Sequence, residues 1–146
     1  MLDIHKGKLV INKLQFVVDK NLNKEKFLYS PLSKLIFNKF ESANWISYSI
    51  QPQYIMGKTF GLTFTFKDSI FQTLALSYSE MKEIPYDKEN EEKRKAVHDA
   101  WLQELFGEPH EYGPFWTKYK FTWGSISSSL DPRAGQSIIY FAFETD

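Results

Sequence analysis

At 146 residues, 42% of them hydrophobic and 17% aromatic, the chain is long enough to bury a core and too apolar to remain disordered. It has no cysteine, which excludes thiol nucleophiles, disulfides, iron–sulfur clusters and cysteine-based zinc sites. Basic and acidic residues balance at 18 each, and only Arg94 and Arg133 are arginine. Nucleic acid is therefore an unexpected partner, since arginine makes the bidentate phosphate and base contacts.

Charges are scattered through the apolar residues of 1–20, leaving neither a signal-peptide core nor a membrane span there. A cytoplasmic protein with no membrane partner is the expectation. Lys8 to Val18 reads as a strand, with Leu14, Phe16 and Val18 alternating. Asn23 is placed to cap one helical turn reaching Leu28. Ser30-Pro31 can open a second short helix, on which Leu32, Leu35, Ile36 and Phe40 are only roughly periodic.

From Asn44 the pattern turns to strands. Trp45 to Ile50 puts Ile46, Tyr48 and Ile50 on one face. Thr59 to Phe66 alternates Phe60, Leu62, Phe64 and Phe66 with smaller residues, and Ile70 to Tyr78 returns after Lys67-Asp68 as an antiparallel hairpin partner. Over Lys88–Phe106 the period lengthens: Val97, Trp101 and Leu105 recur at steps of four, as on an amphipathic helix. Asp87 is a fitting N-cap, Glu89, Glu91 and Glu92 suit the positive helix start, and Gly107 with Pro109 stops the helix. A loop, Glu108 to Trp116, leads to a last hairpin. In it, Tyr119, Phe121 and Trp123 alternate with polar residues, Leu130 to Gly135 forms the turn, and Ser137 to Phe143 returns.

The expected fold is a single α+β domain over residues 1–146, an antiparallel sheet of about five or six strands packed against the 88–106 helix. Val97, Trp101 and Leu105 should meet Phe60, Phe64, Phe121 and Trp123.

Chemistry is sparse. Three histidines, His5, His98 and His110, give little room for a metal site, and His98-Asp99, with no supporting His/Asp array, reads as a pair on the helix surface. His110 lies between Glu108 and Glu111, which permits acid–base work only if a pocket gathers them. Ser125, Ser127, Ser128 and Ser129 have no nucleophile elbow, and no phosphate-binding glycine loop occurs. No catalytic residue, metal or cofactor is assigned. Lysines alternate with Trp116, Tyr119 and Phe121, which could stack bases, but strand alternation explains them more simply. Asp131-Pro132-Arg133-Ala134-Gly135 is complete as a turn, yet Arg133 has no duty in it and could anchor a partner.

The helix ending Leu105-Phe106-Gly107-Glu108-Pro109, then Trp123-Gly124, Asp131-Pro132-Arg133 with Gly135, and Ser137-Ile138-Ile139 together resemble small single-domain bacterial immunity-type proteins of polymorphic or contact-dependent toxin systems. The resemblance spans about residues 87–143. It implies a protein-binding module that occludes a cognate toxin domain. The candidate contact residues are Glu91, Glu92, Glu108, His110, Glu111, Tyr112, Trp116 and Arg133, with the acids suited to a cationic target. The alternative is a small-ligand-binding protein or enzyme with its site on the sheet face.

Overall fold

The computed structural model describes residues 2–3, 6–11, 15–85 and 87–144, so Leu14 and His5 lie outside the described residues. An α+β architecture emerges, with an antiparallel sheet and one long helix, but the sheet is larger than expected. Eight strands form it: β4 (Ile36–Ser42), β5 (Trp45–Ile55), β6 (Lys58–Lys67), β7 (Ile70–Tyr78), β8 (Glu111–Gly113), β9 (Trp116–Phe121), β10 (Gly124–Asp131) and β11 (Gln136–Phe143). Their order is β4-β5-β6-β7-β11-β10-β9-β8, two four-stranded meanders joined edge to edge. A smaller sheet joins β1 (Leu2–Asp3), β2 (Lys8–Ile11) and β3 (Phe16–Val18). The expected single strand over residues 8–18 is thus two strands, with Leu9 opposite Val18.

Local signals explain where elements start and stop. Asn23 caps α1 (Lys24–Tyr29) by accepting from the Lys26 N–H at 2.8 Å. Ser30 accepts from the Leu32 N–H and opens a 3-10 helix, Pro31–Leu35. That helix is shorter than expected, because Ile36 to Ser42 leaves it to become edge strand β4. The β6–β7 turn is Asp68-Ser69, both at positive φ (50° and 68°), the mirror-image turn whose twist suits a hairpin. Helix α2 runs Lys88–Phe106, with Asp87 accepting from the Asn90 N–H at 2.9 Å and Gly107 at φ 78°.

The last hairpin needs correction. Trp123 lies in a turn, and the serine-rich stretch beyond it is the interior strand β10. Its Ile126, Ser128 and Leu130 face the core while Ser125, Ser127 and Ser129 face the other way. Gly124 has φ 148°, and a Cβ there would run into the Ala142 carbonyl, so glycine is required where β10 begins.

One face of the sheet carries the core. Phe27 of α1 lies on Tyr48, Phe64 and Phe66, and Trp101 of α2 lies on Phe60 at 4.7 Å between ring centroids. Phe106 meets Tyr119 and Phe121, so these two rings of β9 face the helix as expected, whereas Phe64 is covered by α1 instead. The buried stripe of α2 is Glu91, Arg94, His98, Trp101 and Leu102; Val97 is only half-buried. The spacing is helical, but its first half is polar.

The polar half has a structural purpose. Strands β7 and β11 pair only from Thr73–Leu76 to Ile139–Ala142, and beyond Leu76 they part. Backbone N–H groups left open at such a splay must find acceptors. Tyr78 N–H donates to His98 Nε2 at 2.9 Å, and Ser137 N–H donates to Glu91 Oε1 at 2.9 Å. Two α2 side chains therefore take over the ladder where the strands separate. His98 is accordingly no surface residue: it is fully buried.

His98 must stay unprotonated at Nε2 to accept that bond. Burial, then the nearby Arg94, lowers its pKa from 6.5 to about 4, with Asp99 opposing and Lys95 adding to the fall. The unfolded chain binds this proton first, so the stability it contributes is full above about pH 6.5 and is lost as pH falls toward 4. The loss should reach about 3 kcal/mol. Urea midpoints across this range should fall less steeply in His98→Gln than in the wild type; parallel profiles would contradict the assignment.

Candidate functional site

The second face of the sheet has a different chemistry. Alternation places Ser47, Ser49, Thr63, Thr65, Thr73, Ala75, Ser77, Ser125, Ser127 and Ser129 there, all half-buried. Neighbouring hydroxyls pair across strands, Ser47 Oγ with Thr65 Oγ1 at 2.8 Å and Ser49 Oγ with Thr63 Oγ1 at 2.9 Å. The helices and the small sheet pack on the opposite, aromatic face. Around the hydroxyl floor stand aromatic residues that share its parity: Phe40 is 67% exposed, Trp45 43%, Trp116 39% and Tyr140 37%. Isolated exposed rings are ordinary, but four that share one face of a sheet make it a candidate contact surface.

A cleft of about 790 Å³ opens at the β7–β11 splay. Thr63, Ser77 and Ile138 line it from the sheet, Glu83 to Pro85 from the loop before α2, Glu91 and Arg94 from the helix, and Arg133 from the β10–β11 tip. Both arginines of the chain thus line one cleft. A second, more apolar hollow of about 180 Å³ shares Thr63, Ser77 and Ile138 with it and reaches Phe37 and Pro52. That hollow sits where bulges interrupt β4 between Ile36 and Asn38 and β5 between Ile50 and Gln53. Pro52 cannot donate to the ladder, which explains the second bulge.

The two arginines differ in state. Arg94, only 4% exposed, donates from Nη1 to Glu91 Oε2 at 2.8 Å and from Nη2 to Glu83 Oε1 at 2.7 Å. Its charge is answered by two carboxylates. Arg133 has no carboxylate within 4.0 Å among the described residues; its backbone N–H is held by Asp131 Oδ1. Arg133 is the uncommitted cation of the cleft.

The expected contact residues divide into groups. Glu91, expected as a contact residue at the helix start, is buried: it is 5% exposed, paired with Arg94 and bonded to Ser137 through both its carboxylate and its backbone carbonyl. It belongs to the cleft with Arg133. Glu111, Tyr112 and Trp116 lie on the β8–β9 hairpin, where Glu111 stands opposite Lys118 and pairs with Lys120 at 2.6 Å. The hydrogen bond from Lys120 holds the Glu111 carboxyl below its usual range. His110 Nδ1 accepts from the Lys120 N–H at 2.8 Å, which ties down the loop end. Glu92 reaches the same hairpin across a shallow depression of about 260 Å³ that Pro114 and Phe115 share. Glu108 is exposed just beyond the helix stop.

Arg94, Glu83, Thr63 and Ser77 were not singled out from the sequence. Glu91 and Arg94 at i and i+3, continued by His98, form a polar stripe in register with Trp101, and that was the available signal. Among the described residues no group of His, Asp and Glu could hold a metal ion, and no helix is long and apolar enough to cross a membrane. Compared with protein-family models, curated proteins and solved structures, the chain matches none.

Proposed function

We propose that this chain is a protein-binding module of the immunity type, which occludes a cognate bacterial toxin domain. One observation carries the reading: among the described residues no helix or second sheet packs on the hydroxyl face of the eight-stranded sheet, and that face bears Phe40, Trp45, Trp116 and Tyr140 exposed. Aromatic anchors set among small polar residues are what a specific interface uses, because rings bury large area at low entropic cost. Of the acids near the β8–β9 side, Glu111 is paired with Lys120 and Glu92 with Lys88, so exposed Glu108 is the carboxylate left to speed encounter with a basic target.

This reading expects a toxin gene directly beside this chain's gene, and the test uses its product. Co-expression should relieve its growth arrest, and the purified pair should form a stable complex. Phe40→Ser and Trp116→Ser, each at an exposed position, should weaken that complex at least tenfold while leaving thermal unfolding nearly unchanged. A neighbouring toxin that neither binds nor is neutralised would overturn the immunity reading. Binding that is indifferent to both substitutions would overturn the surface assigned to it.

A further inference from the structure

The cleft at the strand splay is not needed by the protein-partner reading, and its dimensions suit something smaller. The cleft is open on one side, and its volume of about 790 Å³ falls in the range of small-molecule sites. Its polar and apolar parts are separated. At one end is Arg133, at the tip of the β10–β11 hairpin, without a carboxylate partner among the described residues. At the other is the hollow floored by Gly61 and Ala75 and walled by Phe37 and Pro52. Ile138, Ser77 and Thr63 are common to both, so the two spaces adjoin as the two parts of a groove.

We propose that this groove binds a small amphipathic monoanion, a molecule with one carboxylate or sulfonate and an apolar body. The anionic group sits on Arg133, and the body lies over Ile138 toward Phe37 and Pro52.

Charge selects this class over others. Glu83 and Glu91 are both held against Arg94, so the wall they form offers an anion no further cation. With one uncommitted guanidinium, the cleft matches a single negative charge and has nothing to neutralise a polyphosphate. The small residues of the floor matter equally. Gly61 and Ala75 keep the backbone low where larger side chains would fill the hollow, and a Cβ at Gly61 would meet nothing nearer than 3.8 Å. The groove is maintained by the splay itself, since His98 and Glu91 satisfy the N–H groups that would otherwise draw β11 onto β7.

The probe is 8-anilinonaphthalene-1-sulfonate, which joins one sulfonate to an apolar ring system. Titrated into the native protein at neutral pH, it should show saturable one-site fluorescence enhancement. Arg133→Gln should weaken binding at least fivefold and Arg133→Lys by less. Arg133 is an exposed turn residue, so folding should survive, and unchanged thermal midpoints would establish that. Gly61→Val should narrow the floor and weaken binding as well. Phe40→Ser, on the same face but outside the groove, should leave it unchanged, which separates this result from the fate of the protein-partner reading. Octanoate should displace the probe, and octylammonium should not. Absence of saturable binding, equal affinity in wild type and Arg133→Gln, or displacement by octylammonium as effective as by octanoate would each overturn the assignment.

Discussion

Replacing Arg94 with methionine should destabilise the protein by about 3–5 kcal/mol, because the change strands a buried carboxylate. Glu91 is 5% exposed, and its Oε2 is held by the Arg94 guanidinium at 2.8 Å. Without that partner the charge remains inside the protein with only the Ser137 N–H to stabilise it. The expected readout is a lower urea midpoint with an unchanged slope. Adding Glu91→Gln should recover much of the loss: the amide oxygen can still accept from Ser137, and no charge is left buried. Such recovery is the coupling a double-mutant cycle measures. If Arg94→Met unfolds at the wild-type midpoint, the Arg94–Glu91 pair contributes nothing and the splay must be held open in another way.

Trp101→Ala should cost a similar amount, about 3–5 kcal/mol, by the different mechanism of cavity formation. The indole packs on Phe60 and its Nε1–H donates to the Met56 carbonyl at 3.0 Å, so both a large volume and one hydrogen bond would go. The thermal midpoint should fall on the order of 10 °C for a chain of this size. Ala100, exposed on the adjacent position, provides the contrast: Ala100→Ser should be nearly neutral. A Trp101→Ala protein as stable as the parent would mean that α2 does not pack where Trp101 places it.

Much of the scaffold was legible because its signals are local. The β6–β7 hairpin announced itself through strict alternation of Phe60, Leu62, Phe64 and Phe66, and both ends of α2 followed from Asp87 and Gly107. Strands β4 and β10 were hidden. Residues 36–42 form an edge strand whose side chains are mostly exposed, so no buried period was available to read. In β10 the core-facing positions Ile126, Ser128 and Leu130 carry a serine between two apolar residues, and a serine run looks like a loop until its neighbours are known. Exposure was legible at Arg133, in its turn, and at Tyr112, on the edge strand β8. Glu91 and His98 looked solvated because charged and imidazole groups usually are.

What the sequence by itself determined is the set of elements whose geometry depends on residues a few positions apart: the long helix with its caps, the central hairpin, and a core built from alternating aromatics. Only the tertiary structure decided how the two meanders meet. That junction depends on β7 and β11, some sixty residues apart in the chain. Its unpaired N–H groups can be matched only with helix side chains from a third segment. The cleft, the burial of Glu91, Arg94 and His98, and the uncovered face around Phe40, Trp45, Trp116 and Tyr140 all follow from that meeting. Polar residues reveal such roles only when their partners are in place, because a hydrogen bond at a strand splay leaves no periodicity in the sequence.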